Sequence, residues 1–220
     1  MQGHLCHGRV KRVKTLLKLL FWTVVVLVLL AVLGRIFIFN VARTHSYAMV
    51  PNLVPGDLFL VYTRATLGPG DMALCRDPEH PGAVIVSRIL GVPGSTISIR
   101  NNNPTINGQE IQHQFDGNVI YEDNTAGEHS EFLITVGEEK VAGTLFSIAL
   151  MERAGDKDFQ HYAVEEGFFL VGDNRNRSRD SRHFGEVAIA DCIGMPFLIL
   201  WPGPDSGDFL FKNRVLEWLH

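Results

Sequence analysis

The chain has 220 residues, 46% of them hydrophobic and 20% charged, with a formal net charge of -4. That length holds one substantial globular domain and a small appendage, and two full domains would be a tight fit. The mild acidity and the even scatter of 21 Gly and 10 Pro exclude both a nucleic-acid-binding and a disordered composition.

Arg9, Lys11, Arg12, Lys14 and Lys18 open the chain, with no acidic residue among the first eighteen. Residues 19–34 (LLFWTVVVLVLLAVLG) then carry no charge, and after Arg35 the chain resumes as Ile36, Phe37, Ile38 and Phe39. With Arg35 snorkelling to the interface, the stretch approaches the ~20 residues that a bilayer span requires. The expected organisation is a cytoplasmic basic tail (1–18), one transmembrane helix (19–39), and a domain across the membrane (40–220) oriented by the positive-inside rule. A cleavable signal peptide is the competing reading of such a start. The length of the apolar run argues for an uncleaved anchor, as do Arg35, Phe37, Phe39 and Arg43 where a small-x-small cleavage site belongs.

Beyond the anchor, β-branched and apolar runs at 58–62, 72–75, 83–90, 96–100, 131–136, 145–151, 167–171 and 193–200 are separated by Gly, Pro, Asn and Asp. Runs of this length with turn signals about every ten residues predict a mainly β domain. Residues 113–166 are the most polar and least patterned part and read as a peripheral insertion or subdomain. Cys6, Cys75 and Cys192 have no metal-ligand spacing, so no metal or cofactor is expected. Cys75 and Cys192 can pair only if the fold brings their Cα atoms within about 7 Å; otherwise, and by preference, they are buried free thiols.

Four segments in order resemble the diagnostic boxes of type I signal peptidases, serine endopeptidases that remove signal peptides from exported proteins. The first is Ser46-Tyr47-Ala48-Met49-Val50-Pro51-Asn52-Leu53, where the family has Ser-x-Ser-Met-x-Pro-x-Leu. The second is Gly70-Asp71-Met72-Ala73-Leu74. The third is Ser87-Arg88-Ile89-Leu90-Gly91-Val92-Pro93-Gly94-Ser95, where the family has Lys-Arg-x-x-Gly-x-Pro-Gly-Asp. The fourth is Gly172-Asp173-Asn174-Arg175, then Ser178, Asp180-Ser181-Arg182 and Phe184-Gly185. The resemblance implies a coiled β-sheet domain behind one N-terminal transmembrane helix, on the outer face of a bacterial plasma membrane.

It also implies a catalytic dyad, a serine in the first box and a neutral lysine base in the third. A hydroxyl attacks poorly without a base, and lysine serves as one near neutral pH only when desolvated. In this chain the nucleophile position is Ala48 and the base position is Ser87, so neither half is present. Losing nucleophile or base in a comparable triad costs about a millionfold in turnover. Ser46, whose family counterpart assists the oxyanion, is the substitute nucleophile to consider, sharing a face with position 48 if the segment is extended. It still lacks a base, and nothing in the sequence places His45, His80 or His183 beside it.

By the same resemblance Ser46, Met49 and Pro51 belong to a substrate-facing loop. Val84, Ile85 and Val86 belong to a strand along which a signal-peptide tail lies extended, although core packing explains the two valines equally well. Asp173, Asn174, Arg175, Ser178, Asp180 and Arg182 are expected to support the site, Ser178 having lost the lysine that its family counterpart contacts. The expected function is a catalytically inactive pseudopeptidase that binds signal peptides or similar small-residue tails of exported proteins. An active signal peptidase with a relocated nucleophile or base and a structural envelope protein are the alternatives.

Overall fold

The computed structural model describes residues 3–100, 103–123, 130–151, 159–203 and 214–219. Two compact units emerge, Met1–Asn40 and Val41–His220. The first is dominated by helix α1 (Gly3–Phe37), whose stretch Lys14–Gly34 is long and apolar enough to cross a membrane. The helix therefore runs through the basic segment as well as the apolar one, and it stops short of residue 39. Phe39 instead opens a strand.

In chain order the β structure is β1 (Phe39–Arg43), β2 (Leu58–Tyr62), β3 (Met72–Arg76), β4 (Val84–Gly91), β5 (Thr96–Arg100), β6 (Asn103–Ile106) and β7 (Gln109–Glu110). It continues with β8 (His113–Asp123), β9 (Ser130–Val141), β10 (Thr144–Met151), β11 (Phe159–Ala163) and β12 (Gly167–Val171). One helical turn, α2 (Ser181–Phe184), separates these from β13 (Val187–Ala188) and β14 (Cys192–Trp201). The mainly β class with one long N-terminal helix is the one the runs and turns predict.

A curled seven-stranded sheet runs β1-β2-β14-β3-β4-β12-β13. Its curl has local causes, because register shifts interrupt the β12–β4 pairing once and the β14–β2 pairing twice, and bulges bend a strand and increase its twist. Pro196, which cannot donate to a ladder, sits at one of them. Two smaller sheets, β10-β9-β8 and β11-β5-β6-β7, complete the domain.

Strand β2 reads LFLVY and turns Phe59 and Val61 inward, both fully buried, each contributing about 1.5–3 kcal/mol of burial. They join Met49, Leu53, Met72, Leu74 and Ile199 in one core cluster. Strand β12 (GFFLV) is buried along its whole length and reads as an unbroken apolar run. Val50 and Val54 pack on Ile134 of β9, tying the first-box loop to the β8–β10 sheet.

The cysteines correct the expectation of buried free thiols. Strands β3 and β14 are neighbours whose register sets Cys75 opposite Cys192, with Cα atoms 3.9 Å apart, and a disulfide joins them across 117 residues of sequence.

Candidate functional site

The first-box loop is held by short-range hydrogen bonds. The Ser46 N–H donates to Thr44 Oγ1 (3.2 Å), and the Ala48 N–H donates to Ser46 Oγ (3.1 Å). Residues 48–50 form a turn, so the segment is not extended and positions 46 and 48 do not share a strand face. Met49 is buried in the core, which fixes the loop from below.

The fourth-box turn is wedged between that loop and β10. The Asn174 N–H donates to Ala48 O (2.9 Å) and Asn174 Nδ2 to Tyr47 O (3.1 Å). On the other side the Ala149 N–H donates to Asp173 O (2.9 Å) and the Arg175 N–H to Ala149 O (3.0 Å). A side chain at Gly172 is impossible here, since its Cβ would lie 2.2 Å from Ser178 Oγ and 2.6 Å from Ala48 O. Ser178 Oγ is buried and has no hydrogen-bond partner among the described residues.

Three buried ion pairs fasten the turn. Arg88 Nε and Nη2 donate to Asp173 Oδ1 (3.0 Å) and Oδ2 (2.6 Å), and Asn52 Nδ2 donates to Oδ2 as well (2.7 Å). Arg182 holds Asp180 through Nε (2.8 Å) and Nη2 (2.7 Å), while Asp180 Oδ2 also accepts the Gly172 N–H (2.9 Å). Arg175 Nη2 donates to Glu139 Oε1 of β9 (2.6 Å). Removing one partner from such a pair strands a buried charge, so these groups stand or fall together.

Strand β4 supplies the opposite wall. It pairs with β3 from Val84 to Arg88, whereas β12 pairs with it only from Arg88 to Gly91. The 84–87 edge on the β12 side is left open by β12. Val84 is half-exposed, Ile85 and Val86 are half-buried, and Ser87 is buried.

A cleft of about 500 Å³ lies against this edge, lined by Ser46, Ala48, Met49, Val84, Ile85, Val86 and Ser87. The fold thus gathers Ala48, Ser87 and five of the six residues expected to face substrate, Ser46, Met49, Val84, Ile85 and Val86, into one cavity, while Pro51 lies outside its lining. Asp173, Asn174, Arg175, Ser178, Asp180 and Arg182 sit behind the wall, all buried.

The cleft also contains residues that the sequence reading did not assign: Arg43, His45, Asp77, Glu79, Arg177 and Arg179. Glu79 is clamped by Arg179 Nε and Nη2, both at 2.5 Å, which hold its carboxyl below the usual glutamate range. Of the histidines considered as bases, His45 lines the cleft, His80 is bonded to Asp77 (2.9 Å), and His183 belongs to the capping box of α2. Among the described residues no three His, Cys, Asp or Glu side chains converge as metal ligands. The signal that could have exposed the Arg88–Asp173 pair was Arg88 itself, an arginine inside an apolar strand.

Fold and cleft together define a class: a β domain behind one helix of membrane-spanning length, with an open strand edge facing a loop locked by buried ion pairs. The family model described as "Signal peptidase, peptidase S26" matches residues 17–201, and the chain belongs to that family. It is 31% identical over 199 residues to signal peptidase I of Streptococcus pneumoniae serotype 4, covering 86% of this chain and 95% of that protein. Signal peptidase I V of Bacillus subtilis is 28% identical over 182 residues, covering 80% and 95%. A solved signal peptidase I from Enterococcus faecalis V583 aligns with a TM-score of 0.35 at 22% identity, over 60% of this chain and 97% of that one.

Proposed function

We propose that this chain is a membrane-anchored, signal peptidase I-like protein that binds signal peptides or similar small-residue tails of exported proteins without cleaving them. The observation that carries this is the cleft: Ala48 and Ser87, where the family keeps nucleophile and base, line the same cavity as the open 84–87 edge of β4. An extended tail can add to that edge through main-chain hydrogen bonds, with its small side chains over the cleft. Attack on its carbonyl has no hydroxyl at 48 to begin from and no amine at 87 to take the proton. Ser46 is a weak replacement, because its Oγ is engaged by the Ala48 N–H and no side-chain base bonds to it among the described residues.

In this reading the N-terminus is cytoplasmic and the β domain lies outside a bacterial plasma membrane, a placement that the Cys75–Cys192 disulfide supports, since such bonds persist outside the reducing cytoplasm. The polar segment's described strands β8–β10 form a peripheral sheet in this reading, whereas β11 pairs with β5 in the third sheet.

The test is cleavage of a preprotein by the detergent-solubilised full-length chain, read by mass spectrometry beside the Ala48→Ser/Ser87→Lys variant. The expected result is no product from the unmodified chain and cleavage after small residues by the double variant. Product from the unmodified chain would overturn the proposal. Photo-crosslinking to an Ala-x-Ala peptide at the cleft separates a binding protein from a structural one whose groove stays empty.

A further inference from the structure

We propose that the cleft selects tails carrying an acidic side chain, which Arg43 and His45 hold beside the stretch that passes Ala48. This rests on the peptide-binding reading above and narrows its ligand.

The charges in the cleft carry the argument. Its titratable lining is Arg43, His45, Asp77, Glu79, Arg177 and Arg179. Both acids are committed internally: Glu79 to Arg179, and Asp77 to the backbone N–H groups of Glu79 (2.8 Å) and His80 (3.2 Å) and to the His80 ring (2.9 Å). Arg177 lies over the Tyr47 ring, with its guanidinium carbon 5.3 Å from the centroid.

Arg43 and His45 differ from all of these. Both are exposed, both line the cleft, and neither side chain has a hydrogen bond or ion pair among the described residues. Thr44 between them is buried, its N–H donating to Asp57 O (3.1 Å) and its carbonyl accepting the Gly56 N–H (2.7 Å). That pairing anchors the backbone between them, and Arg43 and His45, on either side of it in the chain, both line the cleft. The cleft thus presents a guanidinium fork and an imidazole, and among the described residues both acids in its lining are bonded within the protein. A carboxylate on the ligand supplies the missing complement, and a lysine at the same place meets like charge.

The experiment uses the full-length chain in nanodiscs of neutral phosphatidylcholine and labelled dodecapeptides, N-acetylated and C-amidated, with a central Ala-x-Ala. One position, moved stepwise away from the second alanine, carries Gln, Glu or Lys, and binding is read by fluorescence anisotropy. At one placement Glu should bind about three- to fivefold tighter than Gln, and Lys correspondingly weaker, near 0.1 M salt. The contrast should shrink at about 0.5 M salt as screening shortens the reach of the charges. Arg43→Glu should invert the order so that Lys binds best, and His45→Ala should reduce the Glu preference.

Equal binding of Glu and Gln peptides at every placement sinks this inference and leaves the peptide-binding reading standing. Binding of none of the three series sinks both. If Arg43 serves a lipid headgroup instead, Arg43→Glu weakens association with anionic vesicles and leaves the Glu-to-Gln ratio unchanged, which also overturns the proposal.

Discussion

Arg88→Met isolates the ion pair that joins the third and fourth boxes. Arg88 is 1% exposed and Asp173 0%, and after the substitution Asn52 is the side-chain donor that Asp173 keeps among the described residues. Arg88 Nη1 also donates to Gly70 O (3.0 Å), and its guanidinium carbon lies 3.9 Å from the centroid of the Phe146 ring, contacts that methionine replaces only in part. Breaking one side of a buried pair costs about 3–5 kcal/mol. For a domain of this size each kcal/mol moves Tm by about 2–4 °C, so the loss should be on the order of 6–20 °C. The assay is thermal unfolding of the full-length chain in detergent, followed by circular dichroism. Adding Asp173→Asn should restore a large part of the loss, because no unpaired charge then remains inside. A single-variant loss below about 1 kcal/mol, with no recovery in the double variant, would refute the reasoning that the pair is a coupled unit.

Arg214→Ala should strand Asp57, which Arg214 Nη1 reaches at 2.9 Å and whose carboxyl burial pushes above the usual aspartate range despite the opposing pull of Arg214. A carboxyl whose folded pKa exceeds its unfolded value binds its proton more tightly when folded, so stability falls as pH rises through that window. The variant should therefore lose more Tm at pH 8 than at pH 5 relative to the parent, and an equal loss at both would count against the assignment. Reducing the Cys75–Cys192 bond, which spans 117 residues, should cost about 2–5 kcal/mol, read as a Tm shift with and without a phosphine reductant and checked by intact mass. Glu79, held low by Arg179, keeps that contact above the usual glutamate range and loses it only as pH falls through its lowered folded pKa. Carboxyl-carbon NMR should show this, and Arg179→Gln should return the titration to the ordinary range; no movement would mean that the pair does not form in solution.

Much of the fold was legible because burial leaves a periodic trace. Strand β2 alternates, β12 is an uninterrupted apolar run bounded by Gly167 and Gly172, and the observed strands at 58–62, 96–100 and 167–171 coincide with their sequence runs. The polar segment was harder to read. Strand β8 (His113–Asp123) has exposed residues from Gln114 to Asn118, so no apolar period announces it, and its pairing with β9 is what makes it a strand. The disulfide was illegible for a related reason, since only the β3–β14 register brings Cys75 opposite Cys192.

The sequence by itself determined the apolar stretch of membrane-spanning length, the mainly β class, the family boxes and the presence of alanine at 48 and serine at 87, because each is a matter of residue type at a fixed place in the chain. Only the tertiary structure decided that Ala48 and Ser87 line one cleft, that β12 leaves β4 at Arg88 to open a strand edge, and that Arg43 and His45 line the same cleft with no side-chain partner among the described residues. Those facts depend on which strands become neighbours and on where a ladder stops. Both are set by long-range pairing, which no local pattern encodes.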